Sequence, residues 1–167
     1  SATMDAFDEE GWFKTGDKGE INKNGSFTII GRLKEEFKTA KGKYVAPVPI
    51  ESHLSGLSYI EQVIVSGSGR AQPMAIIVVS ESIFDSSNNS SEIDEKKNIF
   101  EKKLLEDLES INIQLETHCR LDTIVISSKP FDIDNGLLTP TLKLKRNAIE
   151  KEFYKYICSE KKGIIWR

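Results

Sequence analysis

Two neighbouring runs of β-branched residues constrain the fold of this 167-residue chain more than any other feature. They occupy residues 60–66 and 74–80 and are separated by Gly67-Ser68-Gly69-Arg70 and Pro73. Branched side chains fit the pleated surface of a strand, whereas glycine and proline interrupt regular structure. The pattern predicts two adjacent strands at the centre of a small sheet.

Amphipathic segments on either side of this pair predict the helices that cover it. A short helix is expected over 50–54, and apolar residues at three-to-four spacing predict another from about 93 to 110. Residues 111–118 fit either a second short helix or a strand, with helix favoured. Between these elements, the polar segment 82–91 predicts a mobile surface loop.

The last third of the chain adds a strand over 121–127, a turn region over 130–136 and a closing helix over 144–158. After residue 47 the predicted order is therefore helix, strand, strand, helix, strand, helix. This order is typical of an α+β fold: a small sheet of about three strands with flanking helices. Trp166 is expected to be a packing anchor or part of a frayed tail.

The first third of the chain has a different organisation. Two extended stretches surround Asn24-Gly25, a strong turn signal, and predict a β-hairpin over 19–30. Residues 32–47 then become densely charged and contain glycine, as expected of a joint between two bodies. We therefore divide the chain into residues 1–33 and 34–167.

Charge and cysteine content exclude several functional classes. The 23 basic residues are scattered among 26 acidic ones and the net charge is −3, so no basic stripe indicates nucleic-acid binding. Cys119 and Cys158 form no CxxC pair, and neither His53 nor His118 has a partner at metal spacing. We expect reduced thiols, no metal site and a cytoplasmic location.

The ends and the apolar runs of the sequence bear on targeting. The longest apolar run, 75–79, is far below the roughly 20 residues that span a bilayer. The first residues are acidic, lack a secretory pattern and do not include an initiator methionine at position 1. The expectation is a piece of a longer chain, with membrane contact that is at most peripheral.

Three clusters could carry chemistry, and each also has a simpler structural interpretation. Asp17 follows a glycine in the segment 11–17, where a carboxylate can accept bonds from ribose hydroxyls or close a turn. The charged segment 31–51 could be functional or a solvated linker. In segment 137–146, basic residues are predicted in the first turn of a helix, where the helix dipole opposes them. They could meet an anion or be exposed lysines.

Taken in order, these motifs resemble the adenylate-forming, AMP-binding enzymes. The resemblance is carried by Gly-Trp-Phe-Lys-Thr-Gly-Asp at 11–17, Gly-Arg-Leu-Lys-Glu at 31–35, Lys-Gly-Lys-Tyr-Val-Ala-Pro at 41–47 and Leu-Thr-Pro-Thr-Leu-Lys-Leu-Lys-Arg at 138–146. Segments 39–49 and 138–146 are most similar to long-chain fatty-acyl-CoA synthetases. The resemblance implies a C-terminal domain over 34–167, preceded by a hairpin remnant of the large N-terminal domain.

The resemblance implies a two-step reaction of fatty acid, ATP with Mg²⁺, and coenzyme A. The acid first attacks ATP to give acyl-AMP and pyrophosphate, and the thiol of coenzyme A then displaces AMP. No segment corresponds to the phosphate-binding loop or the acyl pocket of the N-terminal domain, which is the expected partner. The chain alone is therefore expected to be inactive and to bind none of these molecules tightly.

The same resemblance implies individual roles. Lys143 matches the adenylation lysine, Asp17 and Arg32 match the residues at the ribose, and Lys34 matches the hinge. Lys41, Gly42 and Lys43 match the loop that enters the site for thioester formation, on the opposite face of the domain.

Two departures from the family pattern and two rival functions stay open. Leu142 precedes Lys143 where many relatives have glycine, so distance from Thr139-Pro140-Thr141 alone favours Lys143 over Lys145. The joint also begins with Gly31 where many members have aspartate. The rival functions are an acyl-adenylate enzyme with a carrier-protein acceptor, such as an acyl-acyl-carrier-protein synthetase, and a non-catalytic interaction module.

Overall fold

The computed structural model describes residues 5–80, 83 and 90–167. The early elements are β1 (Asp17–Ile21), β2 (Phe27–Arg32), β3 (Phe37–Lys38), β4 (Tyr44–Val45) and α1 (Pro47–Ser55). The later elements are β5 (Ile60–Ser66), β6 (Met74–Val79), α2 (Ser90–Gln114), β7 (Thr123–Ser127), α3 (Arg146–Glu152), α4 (Tyr154–Ile157) and β8 (Gly163–Trp166). Short 3-10 helices occupy Leu33–Glu35 and Thr117–Cys119.

A four-stranded sheet of order β5-β6-β7-β8 forms the centre of the fold. Strands β5 and β6 are antiparallel, whereas β6, β7 and β8 run parallel. The adjacent pair predicted from the β-branched runs and the third predicted strand are confirmed, as is the α+β class. The fourth strand, β8, was not predicted: its four residues lie in register with β7, from Thr123 opposite Gly163 to Ile126 opposite Trp166.

Helices cover both faces of this sheet. In β6, Ala75 and Ile77 point into a core shared with α1 and α2, whereas Met74 and Ile76 point into a core shared with α3 and α4. All four side chains are fully buried. The continuous apolar run of β6 therefore reflects a strand that is buried on both sides.

Two helix boundaries differ from those predicted. The long helix α2 continues to Gln114 rather than ending near Ser110, because Ile111 is buried and Asn112 bonds the backbone of Leu121 through both amide atoms. The closing helix begins at Arg146 and is divided at Phe153 into α3 and α4. The polar loop predicted over 82–91 lies largely outside the described residues, although its last two residues begin α2.

Two small hairpins precede the main sheet. The predicted hairpin is confirmed as the antiparallel pair β1–β2, and α1 packs beside it, with Val48 next to Gly31. The charged joint is more ordered than a solvated linker, because β3 and β4 pair within it. Among the described residues, no helix combines the length and apolar character needed to cross a bilayer.

Candidate functional site

The β1–β2 hairpin brings Asp17 and Arg32 together. They are opposite each other in the register, and Arg32 Nε lies 3.1 Å from Asp17 Oδ1. The Asp17 side chain is 28% exposed and the Arg32 side chain 65% exposed, so both can reach a ligand. At one end of the hairpin, the pair therefore places a carboxylate that can accept hydrogen bonds from hydroxyl groups beside a cation.

Lys34 lies immediately after this pair, in the 3-10 turn Leu33–Glu35. Both flanking residues, Arg32 and Glu36, have extended backbone conformations, so the turn is a single short step between β2 and β3. Leu33 is tied back by its N–H, which donates to Gly16 O at 2.9 Å. Residues 32–34 are exposed.

The loop between β3 and β4, residues 39–43, carries Lys41, Gly42 and Lys43. Thr39 closes it: its N–H donates to Lys43 O at 2.8 Å, and its Oγ1 accepts from Lys43 N–H at 3.2 Å. Gly42 N–H donates to Thr39 O at 2.9 Å, and Gly42 has φ +77°. The loop therefore exposes two lysines around a residue in the left-handed region.

The loop at 139–143 repeats this arrangement one hundred residues later. Thr139 N–H donates to Lys143 O at 2.8 Å, and its Oγ1 accepts from Lys143 N–H at 3.0 Å. Leu142 N–H donates to Thr139 O at 2.9 Å, and Leu142 has φ +60°. It is the one non-glycine residue with positive φ in the part of the chain that the structure describes.

The two loops are anchored on opposite faces of the main sheet. Val45, which follows loop 39–43, belongs to the core beneath α1 and α2. Leu138, which precedes loop 139–143 and pairs with Leu144, belongs to the core beneath α3 and α4. Lys43 and Lys143 are both exposed at equivalent positions of their loops.

The basic residues just before and at the start of α3 are of two kinds: exposed lysines, and an arginine that is largely buried. Lys143 and Lys145 precede the helix rather than lying in its first turn, which corrects the predicted start at 144. Arg146 is only 19% exposed and lies across Glu51, with Nη2 2.8 Å from Glu51 Oε1. Its Nη1 also donates to Val65 O at 2.8 Å, so Arg146 joins α3 to α1 and β5.

Arg70 was not identified from the sequence, where it was only one residue of a glycine-containing turn. Its side chain is 9% exposed and bonds backbone carbonyls at the end of α4. These partners follow Arg70 by more than eighty residues, and no local spacing signals them.

Two groups with shifted pKa values lie in or beside the core rather than in these loops. Burial raises the pKa of Tyr59, whose hydroxyl donates to Asp107 Oδ2 at 2.7 Å. Burial also raises the pKa of Cys119, with a smaller contribution from Glu116. Both residues lie in or against the core cluster beneath α2, which contains no proposed site residue.

Comparison with known proteins identifies both a family and individual relatives. The family model for the AMP-binding enzyme C-terminal domain matches residues 36–160. Long-chain-fatty-acid–CoA ligase 5 of Rattus norvegicus is 35% identical over 94% of this chain and 24% of its own length. The chain thus spans about a quarter of the curated relatives that it matches.

Solved structures show the same fold. The adenylation domain of a carboxylate reductase from Mycobacterium chelonae has a TM-score of 0.75 and 24% identity, covering 93% of this chain and 24% of that one. The A-PCP didomain of a carboxylic acid reductase from Segniliparus rugosus, solved in complex with AMP, has a TM-score of 0.74 and 22% identity. That match covers 94% of this chain and 21% of that one.

Proposed function

The chain belongs to the AMP-binding enzyme C-terminal domain family, and from this premise we propose that it serves an AMP-forming long-chain fatty-acid–CoA ligase. The proposed reaction converts fatty acid, ATP and coenzyme A to acyl-CoA, AMP and pyrophosphate through an acyl-adenylate. The observation that carries the proposal is the pair of matched loops, each presenting a lysine from an opposite face of one sheet.

In the adenylation step, Lys143 would meet the carboxylate and phosphate oxygens of the reacting acid and ATP. Thr139 fixes the backbone of Lys143, and a cation presented from that position would stabilise charge that develops on the phosphoryl group. Asp17 would accept hydrogen bonds from the ribose hydroxyls, with Arg32 beside it. The two sets of residues would contact the phosphate and the ribose of the nucleotide.

In the thioester step, loop 39–43 would replace loop 139–143 at the reacting centre. A rotation at Lys34 would make this exchange, because it lies in the short turn between the hairpin and the main domain. Space around Gly42 is open apart from Lys38 Cε, 3.6 Å from an added Cβ. The pantetheine arm of coenzyme A would pass against this backbone, with Lys41 and Lys43 on either side.

The large N-terminal domain would supply the rest of the site. Residues 1–33 would be its last hairpin, and the family match begins just beyond them, at residue 36. Ile21, Phe27 and Ile29 on that hairpin are 78%, 66% and 61% exposed, as expected of a surface that another body covers. The ligase would act in the cytoplasm, with membrane contact at most peripheral.

ATP and coenzyme A enter this proposal as substrates, and Mg²⁺ accompanies ATP. Among the described residues, no three His, Cys, Asp or Glu side chains come together as a metal site. No step of the reaction is therefore assigned to a metal held by this part of the chain.

The proposal is tested first with the chain alone and then with the full-length ligase, expressed with its upstream coding sequence. We expect fatty-acid-dependent exchange between ATP and pyrophosphate from the full-length ligase and none from residues 1–167. ATP–pyrophosphate exchange by the isolated chain would contradict the proposal that the N-terminal domain supplies the rest of the site. Full-length protein that forms no acyl-AMP from any of a series of fatty acids would overturn the ligase assignment.

The acceptor is tested separately. Acyl transfer to free coenzyme A is expected from the full-length ligase. Transfer to a carrier-bound pantetheine, but not to free coenzyme A, would instead identify an acyl-carrier-protein synthetase.

A further inference from the structure

Arg70 is a buried cation that connects the turn between β5 and β6 to β7 and to the end of α4. Its guanidinium sits on carbonyl groups at and just after the C-terminal end of α4, where the helix dipole favours a cation. Nη1 donates to Tyr156 O at 3.3 Å, Ile157 O at 3.1 Å and Ser159 O; Nη2 donates to Thr123 Oγ1 at 2.9 Å and Asp122 Oδ1 at 3.4 Å; Nε donates to Gln72 O at 3.3 Å.

These bonds hold a turn that would otherwise have considerable conformational freedom. The turn between β5 and β6 contains Gly67 and Gly69, with φ +149° and +75°. Glycine widens the range of conformations open to a backbone, so a fixed turn needs an external anchor. Arg70 supplies it, because its side chain spans from this turn to β7 and α4.

The backbone of the same turn holds the stem of loop 39–43. Ala40 N–H donates to Arg70 O at 2.8 Å, and Gly69 N–H donates to Lys38 O at 2.9 Å. The stem itself contains only the two-residue strands β3 and β4. These two cross-bonds therefore fix the direction in which Gly42 and its neighbouring lysines project.

We infer that Arg70 is a positioning residue for loop 39–43 and, through that loop, for thioester formation. The inference rests on the proposed function for the catalytic part, although the structural part is independent of it. A guanidinium is required because its planar fork bonds several carbonyl groups and a hydroxyl at once. A lysine would keep the charge but lose most of these contacts.

Arg146 provides a matched control for the loss of a largely buried arginine. It is also largely buried, bonds a backbone carbonyl at Val65 and pairs with Glu51. It directly follows the segment that carries loop 139–143, whereas Arg70 contacts loop 39–43. A general loss of packing would affect both half-reactions for either variant, but a positioning role predicts a selective loss of thioester formation for the Arg70 variant alone.

The first experiment follows amide hydrogen exchange in the 167-residue chain with Arg70→Lys and Arg146→Lys. For Arg70→Lys we expect exchange at Ala40 and Gly69 to accelerate about tenfold or more, with exchange at Lys143 changed less than about twofold. Uniform acceleration, or none at Ala40, would overturn the positioning role. If Arg70→Lys unfolds the chain, Arg70→Gln, which retains a planar donor, is measured in the same way.

The second experiment measures both half-reactions of the full-length ligase. Arg70→Lys should lower the rate of thioester formation from supplied acyl-AMP about tenfold and leave fatty-acid-dependent ATP–pyrophosphate exchange within about twofold. Arg146→Lys, which loses bonds to Val65 and Glu51 rather than to loop 39–43, should leave thioester formation within about twofold. Equal losses in both half-reactions would overturn the inference. If Gly42 and Lys143 variants also fail to separate the half-reactions, the proposed function itself is wrong, whatever the exchange data show.

Discussion

Loops 39–43 and 139–143 share one hydrogen-bond scheme but differ at the residue in the left-handed region. Thr39 and Thr139 each close their loop through backbone and hydroxyl bonds to the lysine four residues later. The left-handed position is Gly42 in the first loop and Leu142 in the second. The threonine closure therefore tolerates leucine, and loop geometry alone does not require glycine at position 42.

The difference between Gly42 and Leu142 indicates which part of each loop, backbone or side chain, has to be accessible. A Cβ at Gly42 would meet only Lys38 Cε, at 3.6 Å, so the domain itself has room for a side chain there. Glycine at 42 suits a backbone that a ligand approaches closely, whereas Leu142 only has to leave the Lys143 side chain free. The comparison thus supports the proposed roles, backbone access for loop 39–43 and a side-chain cation for loop 139–143.

The largest expected effect is at Lys143. In the full-length ligase, Lys143→Ala should reduce fatty-acid-dependent ATP–pyrophosphate exchange by about 10² to 10³, because a fixed cation toward the developing phosphoryl charge is lost. Thioester formation from supplied acyl-AMP should change less than about twofold. Lys145→Ala is the control and should leave both half-reactions nearly unchanged. An equal loss of ATP–pyrophosphate exchange from Lys145→Ala would contradict the proposal that Lys143 rather than Lys145 is the adenylation lysine.

The next effect is at the glycine of the other loop. Gly42→Leu copies the residue found at 142 and should slow thioester formation about tenfold, because its side chain occupies the approach to the backbone while costing about 1 kcal/mol of left-handed strain. ATP–pyrophosphate exchange by the full-length ligase should be retained. If thioester formation proceeds normally, the comparison between backbone access and side-chain cation fails.

The two threonines should differ in their contribution to stability. Thr39 is 4% exposed, whereas Thr139 is half-buried, so Thr39→Val leaves the Lys43 N–H with less access to water. We expect the free energy of unfolding to fall by about 1–2 kcal/mol for Thr39→Val and by less than about 1 kcal/mol for Thr139→Val. Urea unfolding of the 167-residue chain measures both, and the reverse order would contradict the burial argument.

The smallest effect is expected for Leu142→Gly. Removing leucine from φ +60° relieves roughly 1 kcal/mol of strain, but glycine adds a similar entropy to the unfolded chain. The free energy of unfolding should therefore change by less than about 1 kcal/mol, and adenylation should be retained. A large loss of stability would show that Leu142, which lines a groove with Val48 and Ser52, packs more than its 70% exposure indicates.

Much of the fold was predictable from local patterns. The β-branched runs predict β5 and β6, and Asn24-Gly25 predicts the first hairpin, because turn and strand preferences act within a few residues. Strand β8 was missed since its four residues become a strand only by pairing with β7. The full length of α2 was likewise missed, because a tertiary bond from Asn112 to Leu121 supports its last turn.

The candidate site shows the same contrast between local sequence information and tertiary contacts. The sequence alone determined the order of the motifs, and the family resemblance that these motifs carry implied the candidate residues Asp17, Arg32, Lys34, Gly42 and Lys143. Only the tertiary structure decided that loops 39–43 and 139–143 share one hydrogen-bond scheme and have stems anchored in different cores. It also decided that Arg70 and Arg146 are anchors, because their hydrogen bonds join residues more than fifty positions apart, which no local pattern encodes.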